Sequence, residues 1–198
     1  MVDAARRVIG LTGGIATGKS TVSNYLATKY GLSILDADVY AREAVAQGSP
    51  ILQRIFTRYG DKVKLPDANL NRSALGEIIF NNSLEKQWLE AQIHPFVRDR
   101  FTQELQQIQD PIVVLVIPLL FEAGLTDTVT EIWVVTCDLA LQIERLRQRN
   151  SLTFAQAQQR INNQLPLASK VALADVVLDN NGDLEQLKAQ VDLAILSR

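Results

Sequence analysis

The residues best suited to do chemistry stand close together near the start of the chain. Gly13-Gly14-Ile15-Ala16-Thr17-Gly18-Lys19-Ser20 fits the pattern GxxxxGK[ST], preceded by the apolar run Arg7 to Leu11 and followed by helical spacing that Gly31 ends. In that setting the pattern is a phosphate-binding loop. Glycines let main-chain N–H groups turn inward around phosphoryl oxygens, and the N-terminus of the next helix adds partial positive charge. Lys19 supplies a mobile charge for β- and γ-phosphates, and the Ser20 hydroxyl is an oxygen ligand for Mg2+, so the motif implies Mg-ATP. Such a loop does not by itself separate a phosphotransferase from a GTPase switch or a motor. The sequence has no Asn-Lys-x-Asp to read guanine. Asp179 to Gly182 spells DxxG only after the last expected strand, where no γ-phosphate sensor stands.

Two carboxylates and a cluster of arginines could complete a phosphoryl-transfer site. Asp36 and Asp38 stand at the carboxyl end of the second expected strand and project to the same side if that strand continues. Phosphoryl transfer needs a carboxylate to orient the attacking hydroxyl and accept its proton, and another group to support Mg2+. The pair suits either task, and each aspartate also fits as a turn or helix cap before Val39. The third strand runs into Pro118-Leu119-Leu120-Phe121-Glu122 with no acid at the usual metal-supporting position. Metal and base duties therefore fall to Asp36 and Asp38, with Glu122 either a helper or a surface acid. From Arg145 to Leu173 the chain carries Arg145, Arg147, Arg149, Arg160 and Lys170 with no Asp or Glu, a segment that calls for an anion. Arg145 and Arg149 share one helix face, as arginines on a lid over a transferring phosphate would; Arg147 and Arg160 also fit a solvated basic surface. His94 is the only histidine, which excludes a histidine metal cluster. It is a binding candidate, or a structural residue in a His-Pro step that ends a helix.

These residues need a frame to hold them. Strand-like runs at residues 7–11, 32–35, 112–117, 131–136 and 175–178, with helical spacing between them, predict an α/β fold built on a doubly wound parallel five-stranded sheet of the P-loop NTPase type. Residues 49–108 show only helical spacings and one long loop, Gly60 to Asn71, and are expected to form a helical insertion. Residues 139–172 form the expected helical lid, and the whole of 1–198 reads as one domain. The glutamines at Gln103 to Gln109 and Gln156 to Gln164 read as solvated helix faces. The chain has 198 residues, 47% hydrophobic and 21% charged, enough for one core, and a net charge of -2 offers no basic field for nucleic acid. Cys137, the only cysteine, reads as a core residue and excludes an intrachain disulfide, which points to the cytoplasm. The apolar stretch after Arg6 and Arg7 is interrupted too soon for a signal peptide, and Ile112 to Phe121 contains Pro118 and is too short to span a bilayer, so no membrane association is expected.

Taken in order, Leu11 to Thr21, Asp36-Ala37-Asp38 with Arg42, the insertion with Asn71-Arg72 and Ile93-His94-Pro95, Pro118 to Glu122, the Arg145/Arg149 helix and Asp179-Asn180-Asn181-Gly182 resemble the dephospho-CoA kinase family from end to end. The resemblance implies ATP-dependent phosphorylation of the ribose 3'-hydroxyl of dephospho-CoA, the final step of coenzyme A synthesis, with ATP and Mg2+. It implies Asp38 as the base and a candidate Mg2+ ligand beside Ser20, with Lys19 and Arg145 stabilising the transferring phosphate. Gly14, Ala16, Thr17, Gly18, Lys19, Ser20, Thr21, Arg145 and Arg149 would bind ATP, and Asn180 and Gly182 would lie beside its adenine. On residue chemistry alone an Asn-Asn-Gly turn serves equally well. Asp38, Arg42, Arg72 and His94 are the candidates for dephospho-CoA, which the insertion would shape. Two departures stand out: Ala16-Thr17 replaces a frequent Gly-Ser, so Ala16 must take a conformation its Cβ permits, and Asn71 replaces an acid before Arg72. Shikimate kinase, which pairs a similar loop with an acidic second-strand motif, lacks an insertion of this length. An ATP-hydrolysing regulatory module is the alternative from another class.

Overall fold

A computed structural model describes residues 6–80 and 82–197. In chain order the elements are β1 (Arg7–Gly13), α1 (Lys19–Tyr30), β2 (Ser33–Asp36), α2 (Ala37–Ala44), α3 (Pro50–Tyr59), α4 (Arg72–Phe80), α5 (Ser83–Gln107), β3 (Ile112–Val116), β4 (Glu131–Thr136), α6 (Leu139–Asn150), α7 (Phe154–Asn162), α8 (Leu167–Val171), β5 (Val176–Asp179) and α9 (Leu184–Leu196). The strands form one five-stranded sheet in the order β2-β3-β1-β4-β5, and every pairing is parallel. β1 lies at the centre of the sheet. Its register sets Leu11 beside both Val116 and Trp133, so the loop that leaves Gly13 emerges from the middle of the carboxyl edge, where open α/β sheets bind ligands.

Continuous apolar strands are what a sheet covered on both faces requires. Val113, Val114, Leu115, Trp133, Val134 and Val135 are completely buried. On one face Ile9, Leu11, Val114, Trp133 and Leu178 pack with Val22 and Leu26 of α1 and with Leu187, Val191 and Ile195 of α9. At the other end of the central strand, Arg7 donates to Glu131 Oε1 at 2.8 Å and to Ile195 O at 3.0 Å, which ties α9 to the sheet.

The chain divides into two compact units: Ala37–Gln107 is one, and the sheet with everything before and after that segment is the other. In the helical unit the apolar faces of α3, α4 and α5 meet around Ile51, Leu52, Ile55, Val63, Leu75 and Leu89. Arg58 grips Glu85 through two bonds of 2.7 and 2.9 Å and stacks over Trp88 at 4.6 Å. With the Tyr59 hydroxyl also donating, Glu85 is held down at about 2. α2 belongs to this unit because Tyr40 packs edge-on against Phe101 of α5, ring centroids 5.3 Å apart, and Glu43 reaches Arg100 at 3.4 Å.

Two local expectations fail. The second strand stops at Asp36, and Asp38 lies in the first turn of α2, so the alternation that would aim both aspartates to one side of a strand does not apply. The His94-Pro95 step does not end a helix either. α5 runs through Pro95, which forfeits one main-chain donor, because Leu89 on one side and Val97 and Phe101 on the other are buried and hold the helix.

Candidate active site

The loop Gly13–Gly18 gets its shape from three residues with positive φ. Gly13 (146°) and Gly18 (106°) lie where only glycine is at ease, and Ala16 at 62° accepts a left-handed conformation. At Gly18 a Cβ would also run into the Asn180 side chain, and at Gly13 into the Val135 carbonyl. Ala16 is held where it is by packing: Ile15 and Ala16 sit against the cluster of Ile143 and Leu146 of α6 and Ala157 of α7. Inside the loop, buried Thr17 donates its hydroxyl to Gly14 O at 2.9 Å, and Lys19 Nζ donates to Gly14 O at 2.7 Å and Gly13 O at 3.3 Å. Gly18 caps α1 without a side-chain acceptor. The first N–H groups of that helix therefore have no acceptor within it, which is the electrostatic basis of an anion site. Ser20 and Thr21, in the first turn, are exposed.

The Asn180 turn is the second half of the site. Asn180 Nδ2 donates to Thr17 O at 2.7 Å, its own N–H donates to Thr136 O at 2.8 Å, and its carbonyl accepts from Arg145 Nη2 at 3.2 Å. Asn181 Oδ1 accepts the Asp138 N–H at 2.7 Å, which anchors the start of α6. One turn thus joins the phosphate loop, the end of β4 and the arginine helix. Together Gly18, Thr21, Arg145, Asn180, Gly182 and Leu184 line a pocket of about 280 Å³. Arg145 Nη1 is buried with no hydrogen-bond partner among the described residues, an unused donor on a guanidinium that wants acceptors at every N–H. Cys137, buried nearby, has its thiol pushed up by burial, an effect the Arg145 charge partly opposes.

The sheet unit thus gathers Gly14, Ala16, Thr17, Gly18, Lys19, Ser20, Thr21, Arg145, Asn180 and Gly182 about one loop and one turn. Arg149 is not part of the pocket lining; it is exposed, and its Nε donates to Asn150 Oδ1 at 3.0 Å. Arg147 and Arg160 are exposed as well. The remaining candidates belong to the helical unit. Exposed Asp38 and Arg42 stand one turn apart on α2, exposed Arg72 opens α4, and partly buried His94 lies within α5. Asn71, which departs from the family pattern, caps α4 by accepting the Ala74 N–H at 3.1 Å.

Several residues in the site escaped the sequence reading. Lys170 is fully buried, and its counterion is Glu122, at 2.8 Å. Its Nζ also donates to Pro118 O at 3.2 Å, and Glu122 Oε1 accepts the Leu165 N–H at 3.0 Å. Gln164 is not on a solvated helix face. It follows α7, and its Oε1 accepts the Ile15 N–H at 2.9 Å. Gln142, also buried, lies against Gly14 and donates to Cys137 O at 3.2 Å. The one available signal was the absence of any acid from Arg145 to Leu173, which asks where Lys170 finds its counterion.

The family model for dephospho-CoA kinase matches residues 7–186. The chain belongs to the dephospho-CoA kinase family. A dephospho-CoA kinase of Trichormus variabilis is 60% identical over 190 residues, covering 96% of this chain and 97% of that protein. One from Synechocystis is 61% identical over 187 residues, covering 94% and 93%. Among solved structures, a Thermus thermophilus protein superposes with a TM-score of 0.84 at 33% identity and 97% coverage of both chains. The dephospho-CoA kinase of Campylobacter jejuni superposes at 0.70 and 26% identity, covering 95% of this chain and 94% of its own. The shikimate kinase of Acinetobacter baumannii, at 0.55 and 17% identity with 97% and 94% coverage, shares the fold with this member of the dephospho-CoA kinase family.

Proposed function

We propose that this chain transfers the γ-phosphoryl group of ATP to the ribose 3'-hydroxyl of dephospho-CoA, giving coenzyme A and ADP in the last step of coenzyme A synthesis. The observation that carries the proposal is the joining of a complete phosphate loop to the Asn180 turn and Arg145 in a chain of the dephospho-CoA kinase family. Phosphates lie on the loop N–H groups, and Lys19 exchanges its bonds to the Gly13 and Gly14 carbonyls for β- and γ-phosphate oxygens. Arg145, with one donor committed to Asn180 O and Nη1 unused, turns positive charge toward the transferring group. Asn180 and Gly182 border the space for the adenine.

Asp38 accepts the proton of the attacking hydroxyl, which suits an exposed carboxylate in the first turn of α2. Mg2+ suits the donors available, since it keeps several waters and takes few protein ligands beside nucleotide phosphates. The exposed Ser20 hydroxyl is such an oxygen, and Asp38 is a second candidate. Among the described residues no group of three or more His, Cys, Asp or Glu could cage a cation alone. When bound, the ion neutralises charge on the β- and γ-phosphates.

The helical unit receives the pantetheine-bearing substrate, with Arg42, Arg72 and His94 offered to its phosphates, and residues 139–172 serve as the lid, Arg149 approaching ATP from its outer turn. No helix among the described residues is long and apolar enough to cross a membrane. We place the enzyme in the cytoplasm, with no nucleic-acid partner. The test is product identity: with ATP, Mg2+ and dephospho-CoA, phosphorus NMR of the product shows the new monoester on the ribose 3' oxygen. A phosphate on any other oxygen, or inorganic phosphate alone, overturns the reading.

A further inference from the structure

Gln164 has no assigned role in phosphoryl transfer, yet its side chain reaches the phosphate loop. Its Oε1 accepts the Ile15 N–H at 2.9 Å, one peptide before Ala16, whose φ of 62° is the strained point of the loop. A main-chain N–H in this loop faces either a phosphate or a protein acceptor, and here the protein supplies the acceptor. The residues around Gln164 are fastened in turn. The next N–H, that of Leu165, donates to Glu122 Oε1 at 3.0 Å. Fully buried Lys170 closes the segment by binding the same carboxylate at 2.8 Å and Pro118 O at 3.2 Å. Pro118 O also accepts the Thr12 hydroxyl at 3.3 Å, and Thr12 lies in the strand that feeds the loop. Residues 164–170 are thus tied to the loop, to β1 and to the chain leaving β3.

We infer that Gln164 is a positioning residue for ATP: by holding the Ile15 N–H it fixes the Ile15–Ala16 turn, and so aims the N–H groups that follow at the phosphates. The inference rests on the loop being the ATP site, as proposed above. The apolar seat of Ile15 and Ala16 on α6 and α7 fixes where these side chains lie, and the Thr17 and Lys19 bonds to Gly14 O hold the carbonyl edge of the Gly14–Ile15 peptide, which leaves its N–H edge to Gln164 once Lys19 turns to the phosphates. A hydrogen bond is directional, and Gln164 supplies one. The Glu122–Lys170 pair keeps the Gln164 main chain where its side chain can reach.

The test pairs amide hydrogen exchange with kinetics. In the parental protein without nucleotide, the Ile15 amide exchanges slowly. In Gln164→Met, which keeps length but has no acceptor, its exchange accelerates at least about tenfold while amides of α6 are unchanged, the KM for ATP rises about five- to tenfold, and kcat and the KM for dephospho-CoA change less than about twofold. Gln164→Glu keeps an acceptor oxygen and restores the slow exchange of Ile15. A role in folding alone would lower the melting temperature without separating KM from kcat. An Ile15 amide that exchanges at unprotected rates in the parental protein overturns the inference, and so does a Gln164→Met protein with parental exchange and parental KM for ATP. Should Gln164→Met not fold, parental Ile15 exchange and Gln164→Glu protection still decide the contact. If the parental protein fails to phosphorylate dephospho-CoA, the exchange data still decide the Gln164 contact, and only the functional reading falls.

Discussion

Glu122→Gln should destabilise the protein by about 2–3 kcal/mol at neutral pH. Removing one partner of a fully buried ion pair costs about 3–5 kcal/mol, because the other charge is stranded away from water. Lys170 meets that condition with a side chain at 0% exposure, while Glu122 is 25% exposed, so water offsets part of the loss on its side. Pro118 O still accepts from Lys170 at 3.2 Å, and the new amide oxygen still serves the Leu165 N–H, which places the cost below the full range. At roughly 2.1 cal/mol/K of unfolding entropy per residue, the 198-residue chain should lose about 5–7 °C in melting temperature by scanning calorimetry. Burial pushes the Glu122 carboxyl up, but the bonds from Lys170 and the Leu165 N–H outweigh it and leave it below its ordinary 4.5. A carboxylate with a depressed folded value contributes stability that is complete above 4.5 and lost as pH falls through the folded value. The gap between parent and variant should therefore be constant near neutrality and close in acid. Adding Lys170→Met removes the stranded charge and fills its channel with apolar atoms, so the double variant should be more stable than Glu122→Gln alone. A loss below about 0.5 kcal/mol, the range of surface pairs, refutes the reasoning, as does a double variant less stable than the single.

Arg145→Ala should lower turnover by about 10²-fold, the usual effect of removing one aimed donor, while Arg147→Ala, exposed and bonded weakly to Leu152 O at 3.4 Å, should stay within about twofold. Equal small losses in steady-state assays would return the α6 arginines to a solvated surface. At Ala16, glycine relieves about 1–2 kcal/mol of left-handed strain but gives back a similar amount in methyl burial and unfolded-chain entropy, so Ala16→Gly should be nearly neutral. Ala16→Val, branched at a φ of 62°, should lose more than about 1 kcal/mol, and equal melting temperatures for the two variants would contradict the loop geometry. Asp38→Asn should cut turnover about 10²-fold or more with ATP affinity intact if Asp38 is the base; partial rescue by added Mg2+ with weakened nucleotide binding would make it a metal support instead.

Much of this was legible in the sequence, and the exceptions share a cause. β3 and β4 stand out because a strand buried on both faces must be apolar along its length, and the loop stands out because glycine and lysine at fixed spacing have few other uses. The border between β2 and α2 was illegible: Asp36-Ala37-Asp38 alternates like a strand, whereas α2 begins at Ala37 and packs Tyr40 on Phe101, a contact made only in the folded chain. Pro95 misled for a related reason, since apolar residues on both sides of it outweigh one lost main-chain bond. Gln164, Gln142 and Lys170 resemble surface residues in sequence. Gln164 and Lys170 find their partners by tertiary contact, with Ile15 149 positions from Gln164 and Pro118 52 from Lys170, and Gln142 is buried where it meets Gly14 of the loop.

The central claim, acceptor-specific phosphoryl transfer by this loop, is tested most directly by ADP release from purified protein with ATP and Mg2+, measured without acceptor, with shikimate and with dephospho-CoA. Strong stimulation by dephospho-CoA alone, matched mole for mole by coenzyme A formed, is the predicted result; slow ADP release at the same rate in all three would contradict it.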